Sequence, residues 1–240
     1  MTLVFGRGPL SSDPAGWFAP PIPADVVFVE PHHRRVQGIR DGHAVIDTEN
    51  ALLVHRKDGP LAFAFPAGEV GALPAEPVGS APGYVTVPWD AVDTWLEEGR
   101  ILVHYPPNPY HRVDCRPTQR GLRVAAGGTV LVDTVDTMIV FETSLAPRLY
   151  VAPALVRTDL LRPTDTTSYC NYKGYATYWS FVLSDPVVGE TVIADAAWSY
   201  DDPLPESASI AGFLTFDETR VDVLAELPEA SAGVADCGCN

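Results

Sequence analysis

Short apolar runs, broken by Gly, Pro and Asp, are the main pattern of the chain. Each run is five to nine residues long and rich in Val, Ile, Phe, Tyr or Trp, which strands favour. The clearest runs are Ala51–His55, Leu61–Phe65, Thr137–Glu142, Arg148–Ala152, Tyr175–Leu183 and Glu190–Trp198. Proline occurs 23 times and divides the chain into short elements. The pattern predicts a mainly β protein with few short helices.

Turn signals between these runs predict hairpins and one helix. The pairs Asp41-Gly42 and Gly127-Gly128 each separate two apolar runs, as two-residue hairpin turns do. Asp90–Glu98 has a capping Asp, apolar side chains on one side and a glycine directly after it. This segment is the strongest helix candidate.

Two stretches of the chain, Arg40–Pro66 and Ala126–Pro153, resemble each other. Within them Asp47-Thr48 and Asp133-Thr134 stand 86 residues apart. A second block, Gly83–Asp93, resembles a later one that begins 129 residues downstream, at Gly212. An internal repeat of this kind indicates duplication into two similar domains. The offset is 87 at the end of the first block, at Pro66 and Pro153, and 129 in the second block, so about 42 residues are present only in the second copy.

The repeat and the proline distribution together predict five segments. They are an extended N-terminal arm (1–31), a first, degenerate repeat domain (32–103), a Pro-rich inter-repeat linker (104–119), a second, elaborated repeat domain (120–228) and a flexible tail (229–240).

Charge and hydropathy narrow the possible partners. The net charge is -15, and such a surface repels phosphate backbones and anionic lipids. No apolar run approaches the ~18 residues that span a bilayer, and the first residues do not resemble a secretory signal. We expect a cytoplasmic protein that binds neither nucleic acid nor membranes.

The four cysteines do not predict a scaffold or a metal site. They are Cys115, Cys170, Cys237 and Cys239, too sparse for a disulfide framework in a chain of this length. No CxxC pair occurs, which disfavours structural zinc. Cys237 and Cys239 fall in the tail, which is expected to fray. We expect no metal ion and no cofactor.

Several segments resemble a known family. They are "YCNYKGYATYWS", "DAAWSYDDPLPE", "IAGFLTF", "RVDVLAE" and the linker "HYPPNPYHRVD". They look like the bacterial domain-of-unknown-function family 427 in its tandem two-domain form, although that family usually has Pro where this chain has Asn171. The resemblance implies a compact β domain, complex-sheet or barrel-like, used twice. One label groups this family with nucleotidyltransferases. A two-metal transferase needs clustered carboxylates, and no Asp-x-Asp pair occurs in the chain, so the sequence does not support that label.

Lys173 is one of only two lysines and lies in the segment that the second copy alone contains. If that segment is a strand, Lys173 shares a face with Trp179 and Phe181, and both faces are largely apolar, as in a central strand. A lysine beside a desolvated surface can act as a base or an imine-forming amine, or bind an anion or carbonyl. Its stem can equally pack on aromatic rings while the ammonium reaches water. Both interpretations stay open.

The candidate ligand site combines this lysine with aromatic and linker residues. Aromatic side chains with a polar handle often line small-molecule pockets, sugar pockets in particular, although core packing is the alternative for each. Arg112 can instead form a structural pair with Asp114. The candidate ligand-binding residues are Tyr172, Lys173, Trp179, Trp198, Tyr200, His104, Tyr110 and Arg112. For Tyr175, Tyr178 and Phe181 we expect core packing.

Cys170 is a candidate nucleophile that would need a histidine base. All six histidines fall at or before His111, so the base would come from the linker or the first copy. An inert buried thiol is the alternative. The catalytic candidates are therefore Lys173, Cys170 and His111.

These features favour recognition of a small polar metabolite, carbohydrate or nucleotide-like, in an aromatic and lysine pocket of the second domain. The alternatives are an enzyme that uses Lys173 or Cys170, and a protein-interaction module without a pocket.

Overall fold

Antiparallel strands form both halves of the chain in the computed structural model, which describes residues 3–4, 6–185 and 189–228. The chain divides into two compact units, residues 1–111 and 112–240. The mainly β prediction is confirmed, and the sheets are open rather than closed into a barrel. The tail 229–240, with Cys237 and Cys239, lies outside the described residues.

Among its described residues, the first unit contains nine strands in two sheets. One sheet has the order β1-β4-β5-β7-β6 and the other β3-β2-β8-β9. The strands are β1 (Val27–Pro31), β2 (Val36–Arg40), β3 (His43–Thr48), β4 (Leu52–Arg56), β5 (Ala62–Pro66), β6 (Glu76–Pro77), β7 (Tyr84–Thr86), β8 (Thr94–Glu97) and β9 (Arg100–Leu102).

In the second unit, the residues that the structure describes form ten strands in three sheets, with the orders β10-β13-β14, β12-β11-β19 and β15-β16-β17-β18. The strands are β10 (Val113–Thr118), β11 (Leu122–Ala126), β12 (Thr129–Thr134), β13 (Thr137–Glu142), β14 (Arg148–Tyr150), β15 (Leu161–Cys170), β16 (Gly174–Asp185), β17 (Gly189–Ser199), β18 (Leu214–Phe216) and β19 (Asp222–Ala225). As expected of a strand with two apolar faces, β16 is central in its sheet.

The strand pairings of the two units correspond. In the first unit β1 pairs with β4, β4 with β5, β2 with β3 and β2 with β8. In the second, β10 pairs with β13, β13 with β14, β11 with β12 and β11 with β19. Even the register irregularity recurs, after Gly38 in β2 and after Val124 in β11, 86 residues later. The long strands β15, β16 and β17 have no counterpart among the described strands of the first unit.

The two predicted hairpin turns are confirmed. Asp41 and Gly42 have φ angles of 50° and 75°, and Gly127 and Gly128 have 52° and 80°. Positive φ at both central residues is the requirement of the tight hairpin turn that follows the twist of its strands. Asp tolerates this conformation better than most residues, and Gly adopts it without strain.

The predicted helix Asp90–Glu98 is wrong. The segment forms a 3-10 turn, Trp89–Ala91, and then strand β8. In β8 buried residues alternate with half-buried ones, which is the period of a strand. Glu98 and Gly99 both have positive φ and turn the chain into β9. The glycine that indicated a helix end is therefore the second residue of a hairpin turn.

The predicted arm and linker both contain strands. Residues 6–26 lie mostly in turns and bends with Leu10 buried, and β1 then pairs with β4. Strand β10 lies within the predicted linker 104–119 and pairs with β13. The helical segments that the structure describes are short 3-10 turns. None of the described helices is long and apolar enough to cross a membrane.

Sheet β10-β13-β14 contributes to two hydrophobic clusters in the second unit. Neighbouring residues along a strand point to opposite faces, so β13 and β14 each contribute to both clusters. On one face, Ile139 and Leu149 pack in a cluster with Phe181. Val140 and Tyr150 pack in a second cluster, together with Tyr200.

Candidate functional site

Lys173 lies in a turn rather than on a strand. Cys170 pairs with Gly174, and the residues between them connect β15 to β16. Gly174 has a φ of 96°, and a Cβ added there would lie 3.4 Å from the Asp202 carbonyl oxygen. Glycine is thus required at the point where the turn enters β16. Because of this turn, the lysine does not follow the alternation of β16.

The ammonium of Lys173 forms an ion pair with the carboxylate of Glu142, the last residue of β13. The two side chains are only 11% and 9% exposed. The Lys173 Nζ also lies 5.8 Å from the centre of the Tyr200 ring. The sequence does not reveal Glu142 as a site residue; it only ends an apolar run.

The ladder of β13 explains where Glu142 points. Glu142 stands opposite Val113 of β10. Two residues earlier on β13, Val140 pairs with Cys115 of β10 on one side and with Arg148 of β14 on the other. Residues two apart on a strand share a face. The Glu142 side chain therefore projects into the apolar cluster that contains Val113 and Val140.

Two tyrosines of this cluster are held in the protonated form. Burial raises the pKa of Tyr150 and that of Tyr200 well above the ordinary value. Burial also raises the pKa of the Cys115 thiol. At neutral pH these groups are hydrogen-bond donors and not anions, so Cys115 is not an activated nucleophile.

Trp198 lies at the border of this apolar cluster, and the two faces of its ring are not both open for stacking. Its ring lies 6.2 Å from that of Tyr178, its cross-strand partner. The Arg148 guanidinium lies 4.9 Å from the Trp198 ring centre and forms an ion pair of 2.9 Å with Glu218. We call Glu142, Tyr150, Lys173, Trp198 and Tyr200 the Lys173 cluster; Cys115, Cys170, Tyr172 and Tyr178 pack against it.

Trp179 is not part of the Lys173 cluster. It points to the opposite face of β16, packs in the cluster of Phe181, and its Nε1–H donates to Ser199 Oγ at 3.4 Å. Core packing is confirmed for Phe181, which is fully buried. It is wrong for Tyr175, which is 62% exposed and contacts Tyr169 at 4.7 Å between ring centres.

The candidate residues of the linker fall in two units. His104, Tyr110 and His111 close the first unit, whereas Arg112 opens the second. Arg112 forms an ion pair of 3.4 Å with Asp114, so this pair lies within the second unit. His104 lines a cavity of the first unit.

Tyr110 belongs to a buried polar group that the sequence does not reveal. Its hydroxyl donates to Glu30 Oε2 at 2.5 Å, and His55 Nε2 lies 2.9 Å from Glu30 Oε1. His55 is fully buried, and its Nδ1 has no hydrogen-bond partner in the described part of the chain. With Glu30 as an acceptor, the neutral imidazole carries its proton on Nε2.

We expect His55 to make the chain less stable at acid pH. Burial lowers the pKa of His55, and the Glu30 carboxylate offsets this only in part. Below about pH 6.5 the unfolded chain binds a proton that the folded chain does not. The contribution of His55 to the free energy of unfolding is therefore complete above about pH 6.5, and it is lost as the pH falls toward the lowered pKa of His55 in the folded state.

The measurement is the free energy of unfolding in urea at pH 7.5 and at pH 5.0. The variant His55→Gln keeps a donor for Glu30 but does not titrate, so its stability should fall less between the two pH values than that of the wild type. Equal losses in both proteins would show that His55 titrates normally in the fold.

Lys173 lines neither of two cavities in the second unit. One, of about 460 Å³, is lined by residues that include Arg123, Asp222 and Leu224. The other, of about 270 Å³, is lined by residues that include Arg148 and Leu227. Among the described residues, no group of three or more His, Cys, Asp or Glu side chains is placed to hold a metal ion.

A family comparison covers most of the second unit. Residues 114–227 match the family NTP_transf_9, Domain of unknown function (DUF427). The matched range contains the whole Lys173 cluster. The resemblance that the sequence indicates is therefore confirmed for this part of the chain. No curated protein matches the chain.

Proposed function

We propose that the second unit recognises a small uncharged polar molecule, of the carbohydrate class, at the Lys173 cluster. The observation that carries this proposal is the ion pair of Lys173 and Glu142, enclosed by aromatic side chains. A buried ion pair adds little stability compared with apolar residues of the same volume. Its presence in a cluster of titratable groups with shifted pKa values favours a binding role.

The charges of the cluster favour a neutral ligand over a nucleotide. Lys173 is paired with Glu142, and Arg148 with Glu218. Neither cation is left to neutralise a phosphate. The phenol of Tyr200 stays protonated and can donate a hydrogen bond to a hydroxyl or ring oxygen.

The edge of the cluster offers the aromatic surface that sugars use. Four aromatic residues remain partly exposed while they pack against the apolar cluster that contains Val140 and Tyr150; they are Tyr172, Tyr178, Trp198 and Phe213. Aromatic rings with a polar handle bind the apolar face of a sugar and orient its hydroxyls. A ligand on this edge would lie beside Lys173 without displacing the buried core.

We also propose that the chain is a tandem duplication in which only the second copy keeps the site. The corresponding strand pairings and the shared register irregularity support the duplication. At the offset of 86 residues, Arg56 stands where the second unit has Glu142, and Ala64 where it has Tyr150. The first copy thus lacks the acidic partner and a phenol of the Lys173 cluster.

The test is a screen of melting temperature against sugars, nucleotides and organic acids. A ligand at 100 times its dissociation constant stabilises the fold by roughly 2.7 kcal/mol, which is easily measured. We expect neutral sugars to give shifts and nucleotides to give none. The other lysine, Lys57, lies in the first unit, and the control Lys57→Met should keep the shift. A screen in which only nucleotides bind would contradict the ligand class, and one without any hit would favour a protein-interaction module.

An enzyme is the second candidate, because Lys173 lies beside a carboxylate and Cys170 packs against the same cluster. The pair could transfer a proton, or the lysine could form an imine with a carbonyl substrate. His111, the predicted base for Cys170, is in the first unit. Borohydride trapping of a lysine adduct on Lys173, or alkylation of Cys170 far faster than free cysteine, would favour this candidate over simple binding.

A further inference from the structure

The first unit contains a separate cavity with an aromatic floor. Its volume is about 270 Å³, and its lining includes Phe63, Trp89, Trp95, Glu76 and His104. Typical ligand pockets begin near ~300 Å³, so this cavity suits only a small molecule. All its lining residues belong to the first unit, and none is shared with the Lys173 cluster.

The floor of the cavity is fixed by ring stacking. Trp95 is 2% exposed and lies between Phe65 and Trp89, with ring centres 5.6 Å and 5.5 Å apart. The ring planes of Phe65 and Trp89 make angles of 2° and 28°, respectively, with the ring plane of Trp95. The Trp95 Nε1–H donates to the Trp89 carbonyl oxygen at 2.8 Å. The donor of this indole is thus already used, and the floor offers aromatic surface rather than hydrogen bonds.

The rim of the cavity carries one carboxylate and no Lys or Arg. Glu76 lies on the short strand β6, opposite Thr86, and is exposed. In the described part of the chain, Thr86 Oγ1 donates to the Glu76 backbone carbonyl, and the Glu76 carboxylate is left without a hydrogen bond or ion pair to another residue. The chain as a whole carries a net charge of -15. Both the local and the overall charge therefore favour a cation.

We propose that this cavity binds a small organic cation of the quaternary or methylated ammonium class. Tryptophan is the aromatic side chain that attracts such cations most strongly, through the negative face of its ring. A bulky, weakly hydrated ammonium can contact the half-buried Trp89 ring, which the buried Trp95 supports from beneath, while the Glu76 carboxylate offsets its charge at the rim. The site is independent of the carbohydrate site proposed for the second unit.

Calorimetric titration of the full chain with choline and with 3,3-dimethyl-1-butanol tests this proposal. The two probes have nearly the same shape, and only choline is charged. We expect choline to bind at least about tenfold more tightly than the alcohol, the size of effect that cation–π contact and one carboxylate can give. Equal affinity for the two probes, or no binding of choline at millimolar concentration, would overturn the proposal.

The variant Glu76→Gln tests whether the Glu76 carboxylate is the charge that recognises the choline ammonium. It should weaken choline binding about fivefold or more and leave the alcohol unaffected. The matched control is Glu69→Gln, an exposed glutamate of the same unit that does not line the cavity. It should bind choline like the wild type. Equal choline affinity in Glu76→Gln and wild type, or an equal loss in both variants, would show that Glu76 is not the recognising group.

Discussion

Replacing Lys173 with Met is expected to lower the free energy of unfolding by about 3–5 kcal/mol, because it leaves the buried Glu142 carboxylate without a partner. The cost is the desolvation of an unpaired charge rather than the loss of packing, since Met fills much of the volume of the lysine stem. Urea denaturation followed by circular dichroism measures it, with separate transitions fitted if the units unfold independently.

The double variant Lys173→Met/Glu142→Leu separates the charge from the packing. With both charges removed, the stability should return to within about 1 kcal/mol of the wild type or exceed it. The control Lys57→Met changes the other lysine and should stay within about 0.5 kcal/mol. A loss below about 1 kcal/mol in Lys173→Met, or a double variant as unstable as the single one, would mean that the pair is not buried as the structure has it.

Replacing Phe181 with Ala should cost about 3–5 kcal/mol in the free energy of unfolding, since a buried aromatic ring is lost and a cavity remains. Phe181 is fully buried, and its ring stacks on that of Phe216 at 6.1 Å. Tyr175 supplies a matched control on the same strand. It is 62% exposed, so Tyr175→Ala should change the stability by less than about 1 kcal/mol. Similar losses in the two variants would contradict the packing of β16.

The strands and hairpin turns could be predicted because their signals are local. Alternation of apolar residues and the Asp41-Gly42 and Gly127-Gly128 pairs depend only on neighbouring residues. The segment Asp90–Glu98 failed because helix and hairpin share one signal, a glycine after apolar residues. In the structure that glycine follows another residue with positive φ, Glu98, and this pair is a turn.

The candidate site was predicted only in part, for two physical reasons. The sequence indicated Lys173, Trp198 and Tyr200, but not Glu142, because that contact joins a turn to a strand 31 residues earlier. Contacts set by the pairing of distant strands leave no periodic signal. Trp179 was assigned to the same face as Lys173 because the segment was treated as one continuous strand. The lysine lies in the turn instead, so the alternation of β16 does not extend to it.

The binding of a neutral sugar to the charge-free double variant tests whether the Lys173–Glu142 pair forms the ligand site. Lys173→Met/Glu142→Leu is expected to fold as well as the wild type, so a loss of binding in it reports on the site and not on stability. We expect that a sugar that raises the melting temperature of the wild type and of Lys57→Met gives no shift in the double variant. The same shift in all three proteins would contradict this expectation and place the ligand away from Lys173.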